Sequence, residues 1–371
     1  MVNEIFDQFH KIATAPRAQM DSYLQQGKKV VLTSPVYTPE EILHSMGFVP
    51  MGAWGADVEL NRSKEYFPAF LCSIVQSMLE LGINGAYKGA SAIVIPSLCD
   101  TLKTLGENWK YAVKDIPFIP MTYPQHRKPA YGIAYTKAGY ERMIHDLEKL
   151  GGKFDTAALS ESNRIYNRHN QVMRQAEEVL ANHPEITAAQ RSDLFKSAFF
   201  MLKEEHTALV EQLIKELEGT APAEEKLPVI VSGILTDAPQ LNAIMDELGF
   251  HIVADDVAAQ SRQYRIDVPE GDDALQALAE KFGNMDNCSV LYNVEKPRVQ
   301  WIVDTAKERN AKGVIVVMTK FCDPEEFDYV MIKKACEKAD IPVTLIEVDR
   351  QMKQFEQIRT NLETFRDMVN M

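Results

Sequence analysis

The residues best placed to do chemistry are three cysteines at the starts of helices. Residues 90–98 (ASAIVIPSL) read as a buried strand that runs into Cys99-Asp100, and residues 312–321 (KGVIVVMTKF) read the same way and run into Cys322-Asp323. In each case the aspartate is suited to be the helix N-cap. After Asp323 the chain reads Pro324-Glu325-Glu326, which puts proline at the first helical position and a glutamate at the third. A thiolate just ahead of a helix feels the positive end of the macrodipole, which lowers its pKa and favours bound negative charge. Cys72 falls early in a helix expected over Tyr66–Gly82, one turn after Pro68. Three thiolates on three helix starts suit one electron-rich metal centre with a position left open. An iron–sulfur cluster with three cysteine ligands carries net negative charge, so those dipoles fit it.

Other candidates are weaker. Cys288, expected to open a strand over Ser289–Asn293, and Cys336, on a helix beside Met331 and Ala335, read as small buried hydrophobes. Gly233, followed by Asp237-Ala238-Pro239, is expected as a left-handed turn, with phosphate binding at the helix start as the alternative. Asp255-Asp256 and Arg262 follow a strand end, where they would line a cleft or form a solvated loop. The basic stretch Tyr123–Pro129 would meet an anion such as coenzyme A or lie exposed. No Ser/His/Asp or paired-carboxylate arrangement can be argued from spacing, so no acid–base residue is assigned.

The whole-chain totals narrow the setting. The 371 residues carry 53 acidic and 40 basic side chains, a net charge of −13 that repels nucleic acid and anionic membranes; both are set aside as partners. Apolar runs such as Gly313–Met318 are too short to span a bilayer. The N-terminus (MVNEIFDQFHKI) has no apolar signal core, which points to the cytoplasm. The odd number of cysteines, 5, argues against a disulfide framework, and without a C-x-x-C pair or a histidine at ligand spacing a zinc finger is excluded.

These residues need elements to hold them. Lys29–Thr33, Phe48–Ala53, the strand ending at Leu98 and Pro117–Tyr123 alternate with helices over Pro39–Met46, Tyr66–Gly82 and Thr101–Val113. Thr38-Pro39-Glu40-Glu41 reads as a capping box. Residues 136–217 are helical throughout: Tyr140–Leu150, Ser160–Asn182 and Thr187–Glu218. A linker, Gly219–Lys226, returns the chain to strands at Leu227–Ser232, His251–Ala254, Ser289–Asn293, Gly313–Met318 and Pro342–Val348. Helices are expected from near Asp237, over Asp273–Phe282, Arg298–Arg309 and Pro324–Ala339, and from Gln351. The expected fold is α/β: two doubly wound, Rossmann-like parallel-sheet domains (1–135 and 219–371) around a helical module (136–218).

The segments around the cysteines are similar to those of a known family. Ser63-Lys64-Glu65-Tyr66 leading to Phe70-Leu71-Cys72, Pro96-Ser97-Leu98-Cys99-Asp100-Thr101-Leu102 and Phe321-Cys322-Asp323-Pro324-Glu325-Glu326 resemble the D component of the 2-hydroxyacyl-CoA dehydratases, whose relatives include benzoyl-CoA reductase subunits and double-cubane cluster proteins. Tyr37–Glu41, Val49–Gly55 and Val231–Ile234 extend the resemblance over the whole chain, and it is closest to the shorter, beta subunit of the 2-hydroxyglutaryl-CoA type. The resemblance implies that Cys72, Cys99 and Cys322 hold a four-iron four-sulfur cluster whose fourth iron has a non-cysteine ligand. It also implies an alpha-subunit partner and an ATP-hydrolysing iron–sulfur activator that delivers one electron. The implied reaction removes water from an (R)-2-hydroxyacyl-CoA through a ketyl radical, with (R)-2-hydroxyglutaryl-CoA to glutaconyl-CoA as the expected case. A homodimeric double-cubane or benzoyl-CoA-reductase-like reductase is the alternative. Flavin content is not readable. The family often has a cysteine or glycine before the arginine near Asp255, where this chain has Asp256-Val-Ala-Ala-Gln-Ser-Arg262.

Overall fold

Apolar runs rich in valine and isoleucine, each followed by an amphipathic helix, build parallel strands covered on both faces. The computed structural model describes residues 1–34, 36–219 and 225–370. Two opening helices, α1 (Val2–Thr14) and α2 (Pro16–Gln25), precede β1 (Lys29–Thr33), α3 (Glu40–Ser45), β2 (Phe48–Gly52), a short 3₁₀ turn (Arg62–Glu65), α4 (Ser73–Ile83), β3 (Ala92–Pro96), α5 (Asp100–Ala112) and β4 (Phe118–Met121). Then come the helices α6 (Ala130–Lys149), α7 (Thr156–Ala181), α8 (Ala188–Ser197) and α9 (Lys203–Leu217). The second half runs β5 (Leu227–Gly233), α10 (Pro239–Glu247), β6 (Phe250–Val257), α11 (Ala274–Asn284), α12 (Pro297–Glu308), β7 (Gly313–Thr319), α13 (Asp323–Lys338), β8 (Val343–Val348) and α14 (Glu356–Val369).

The sheets share one topology. Their strand orders are β2-β1-β3-β4 and β6-β5-β7-β8, with every pairing parallel. The order reverses between β1 and β3 and again between β5 and β7, and such switch points open a crevice beyond the carboxyl ends of the strands. Cys99 follows β3 and Cys322 follows β7, so the echo in the sequence becomes an equivalence of position. The α/β class with helices between two sheets is as expected. No helix among the described residues is long and apolar enough to cross a membrane.

Several expectations need correction. Residues 66–72 are not helical; the 3₁₀ turn and Pro68 delay α4 to Ser73. The expected helix Thr187–Glu218 breaks between Ser197 and Lys203, where Phe199, Phe200 and Met201 turn into the core and the Phe199 carbonyl accepts from Gly52 N–H at 2.7 Å. A side chain on Gly52 would place its Cβ 2.8 Å from Phe199 Cβ. Ser289–Asn293 forms no strand, because side chains rather than a neighbouring strand hold that loop: Arg127 donates to the Met285 and Tyr292 carbonyls. Thr38 makes no capping box; its hydroxyl donates to the Ser34 carbonyl. Gly233 is not a left-handed turn but the last residue of β5, where the Val317 carbonyl leaves no room for a Cβ. Of the linker, residues 220–224 lie outside the described residues.

Candidate metal centre

Each of the three cysteines is itself a helix N-cap. Cys72 caps α4 (φ −62°, ψ 141°), Cys99 caps α5 (φ −138°, ψ 167°) and Cys322 caps α13 (φ −93°, ψ 78°). Asp100 and Asp323 are therefore first-turn residues rather than the caps, and Pro324 takes the second position. At an N-cap the side chain lies over the free amides of the first turn. No capping hydrogen bond to sulfur forms at Cys72 or Cys99, but the nearby amides of Ile74 and Val75, and of Thr101 and Leu102, favour the thiolate. At Cys322 the Glu325 N–H donates to the cysteine's own carbonyl at 2.9 Å, and Pro324 has no N–H to offer.

Burial dominates the acidity of these thiols. It pushes Cys72 up to about 12 against the pull of the Val75 amide, with Cys99 raising it further. Burial likewise raises Cys99, against the Leu102 and Thr101 amides. Cys322 is raised well above the ordinary thiol value, first by burial, then by the Glu325 carboxylate, Cys72 and Cys99. Three thiolates here need a cation to compensate them, and the first-turn amides supply only part of that.

No three His, Cys, Asp or Glu side chains among the described residues close tightly enough to hold a single ion. A cluster differs in this respect, because each thiolate binds its own iron at a corner of the core, and the sulfurs stand further apart than around one atom. A cleft of about 420 Å³ is lined among others by Leu71, Ser73, Lys320 and Phe321, the chain neighbours of Cys72 and Cys322. The donor set and its setting fit an iron–sulfur cluster.

The profile of the family described as 2-hydroxyglutaryl-CoA dehydratase, D-component, matches residues 35–369. The chain belongs to this family. It is 43% identical to the (R)-phenyllactyl-CoA dehydratase beta subunit of Clostridium sporogenes, over 99% of both chains. Identity is 39% with the lactoyl-CoA dehydratase beta subunit of Anaerotignum propionicum (99% of both) and 37% with the (R)-2-hydroxyglutaryl-CoA dehydratase beta subunit of Acidaminococcus fermentans (99% of this chain, 100% of that one). The chain is thus a 2-hydroxyacyl-CoA dehydratase beta subunit, a hydro-lyase component whose designation implies an alpha partner. The family is known to carry an iron–sulfur cluster.

In this dehydratase subunit the remaining candidates resolve differently. Cys336 is fully buried in an apolar cluster, as expected, and Cys288 is buried beside Arg262. Asp255, Asp256 and Arg262 form neither a solvated loop nor a cleft wall: all are at most 4% exposed and internally paired. Arg127 is also buried, with its guanidinium on the Met285 and Tyr292 carbonyls and Asp286, so the basic stretch is no open anion site. Sequence reasoning missed a second cavity of about 60 Å³, lined among others by Glu40, Glu41, Tyr166, His169, Lys203 and Lys281. Its two lysines are paired, Lys203 with Glu40 at 3.0 Å and Lys281 with Glu41 at 2.6 Å. These partners lie far apart in sequence, so spacing carried no signal.

Proposed function

We propose that this chain is the iron–sulfur beta subunit of an (R)-2-hydroxyacyl-CoA dehydratase, in which Cys72, Cys99 and Cys322 hold one four-iron four-sulfur cluster with a non-cysteine ligand on its fourth iron. The observation that carries the proposal is the set of three half-buried cysteines, each at the N-cap of a different helix. When bound, the cluster supplies one electron at a time. The protein's own part is to shelter the half-buried thiols and to bring three helix N-termini, with their dipoles, to an anionic core. The partners are an alpha subunit and an ATP-hydrolysing activator that charges the complex. We place it in the cytoplasm, where five unpaired thiols are at home, and read its architecture as two α/β domains, 1–135 and 219–371, around a helical module, 136–218.

Glutaryl, lactyl and phenyllactyl chains are all named among the relatives. For (R)-2-hydroxyglutaryl-CoA the extra carboxylate needs a cation, and both lysines lining that second cavity are already neutralised by glutamates. We therefore assign choice of the acyl chain to the alpha partner. The test is anaerobic co-purification, metal analysis and an assay with several hydroxyacyl thioesters. The expected outcome is brown protein with about four irons and four sulfides per chain, purifying with a longer partner and releasing water from one thioester class. Colourless, iron-free protein under strict anaerobiosis overturns the assignment.

A further inference from the structure

Behind Cys322 lies a buried ionic lattice. Glu325 is the third residue of α13; its backbone N–H donates to the Cys322 carbonyl at 2.9 Å while its carboxylate is buried. One carboxylate oxygen accepts from Arg262 Nη1 at 3.0 Å and from the Ser289 hydroxyl at 2.7 Å, and the other accepts from Arg298 Nη2 at 2.7 Å. The same two arginines share Asp256 at the end of β6: Arg262 reaches it through Nε at 3.1 Å and Nη2 at 2.9 Å, and Arg298 through Nε at 2.6 Å. Arg298 also holds Asp328, on the next turn of α13, at 3.0 Å and the Ser232 hydroxyl on β5 at 2.8 Å. Asp256, Arg262, Arg298, Glu325 and Asp328 are at most 4% exposed.

Two further cations, Arg265 on Asp256 at 3.1 Å and Lys296 on Asp328 at 2.6 Å, bring the set to four cations and three carboxylates. A buried ionic lattice is a poor way to gain stability, because apolar residues of equal volume do as well or better. What it provides is direction. Arginine forks fix the plane of each carboxylate, and these tie β5, β6 and α12 to the first turn of α13. That turn begins at Cys322, so the lattice fixes the helix end that carries the sulfur.

We propose that Glu325, clamped by Arg262 and Arg298, is a positioning residue for Cys322, holding the sulfur in place and setting the charge the cluster feels. The inference rests on the reading of Cys322 as a ligand. The test compares Glu325→Gln, which keeps shape and removes charge, and Arg298→Met, with Arg309→Met as a surface control, in the anaerobically isolated protein with its partner subunit. The readouts are iron per chain, iron loss to a chelator and the midpoint potential of the cluster that Cys322→Ser abolishes. Glu325→Gln is expected to fold and load iron, to release it about 10–100-fold faster, and to shift the potential positive; Arg298→Met is expected to shift it negative. A merely structural role would not give opposite signs. Unchanged release and potential in a fully loaded Glu325→Gln protein overturn the inference, even if its melting temperature falls. A wild-type protein without iron overturns the cluster reading itself, and this inference with it.

Discussion

At a helix N-cap the usual acceptor is an oxygen, and serine ranks among the best. Cys72, Cys99 and Cys322 occupy that position with a bulkier, weaker acceptor, which makes serine an informative replacement. Cys72→Ser or Cys99→Ser is expected to leave the iron-free protein as stable as before, or more stable by about 0.5–1 kcal/mol, while iron per chain collapses. Urea unfolding of the metal-free variants, set beside metal analysis, checks both halves. Retention of full iron by either variant removes that cysteine from the ligand set. The repeated Cys-Asp dipeptide was legible in the sequence because strand, cysteine and helix start are consecutive. The identity of the cap was not: aspartate is the commoner N-cap, and only the backbone geometry shows the helix beginning one residue earlier. Arg262 was illegible for a different reason. Its partners Asp256, Glu325 and Ser289 come from three separate segments, and nothing local marks them as neighbours.

At the scale of elements, periodicity located most strands and helices, and it failed where long-range contacts decide. The third helix of the central module looked continuous, yet it breaks so that Phe199 can reach Gly52, an interaction between residues far apart in the chain. The break also brings two buried histidines together. His206 Nε2 faces the Leu194 carbonyl at 3.0 Å, which can only accept, so that nitrogen carries the proton and Nδ1 is left to accept from His169 Nε2 at 3.1 Å. Burial, with Lys203 nearby, lowers His206 to about 3, and burial, then His206, puts His169 well below its ordinary value. Both rings are therefore neutral in the folded protein. A folded pKa below the unfolded value of about 6.5 means the unfolded chain binds the extra proton, so stability is complete above pH ~6.5 and falls with pH down toward the folded value. For His206 alone, acidifying from pH 7 to 5 is expected to cost about 2 kcal/mol. His206→Gln, which keeps a donor for the Leu194 carbonyl, is expected to remove that share of the acid sensitivity. Urea midpoints at the two pH values measure it, and an equal drop in variant and wild type rejects the account.

On the scale of the whole molecule, two sheets of like topology present their switch points to a common region, and side chains from one half reach into the other. Arg350, just beyond β8, donates its backbone N–H to Ser73 Oγ at 2.9 Å, next to Cys72; its guanidinium binds the Trp54 carbonyl at 3.1 Å and Asp237 at 2.7 Å. Burial raises the Asp237 carboxyl, but Arg350 and Lys196 outweigh it and hold it below the usual carboxylate range. Far from the cysteines in sequence, the Lys281–Glu41 pair crosses between the same halves. The two links differ in what they should control. Lys281→Met strands a buried carboxylate and is expected to cost about 3–5 kcal/mol, while the ends of α4 and α13 keep their places. Arg350→Met removes charge-assisted hydrogen bonds worth about 1–3 kcal/mol and leaves Asp237 to Lys196; the backbone N–H still reaches Ser73 Oγ, yet the guanidinium anchors on Trp54 and Asp237 that hold it there beside Cys72 are gone. The milder variant is therefore expected to lose iron to a chelator faster, and the more destabilised one to hold it as the wild type does. Iron release measured beside thermal unfolding decides this: if retention simply follows global stability, cluster placement does not depend on Arg350, and the two halves act on the metal centre only through the fold as a whole.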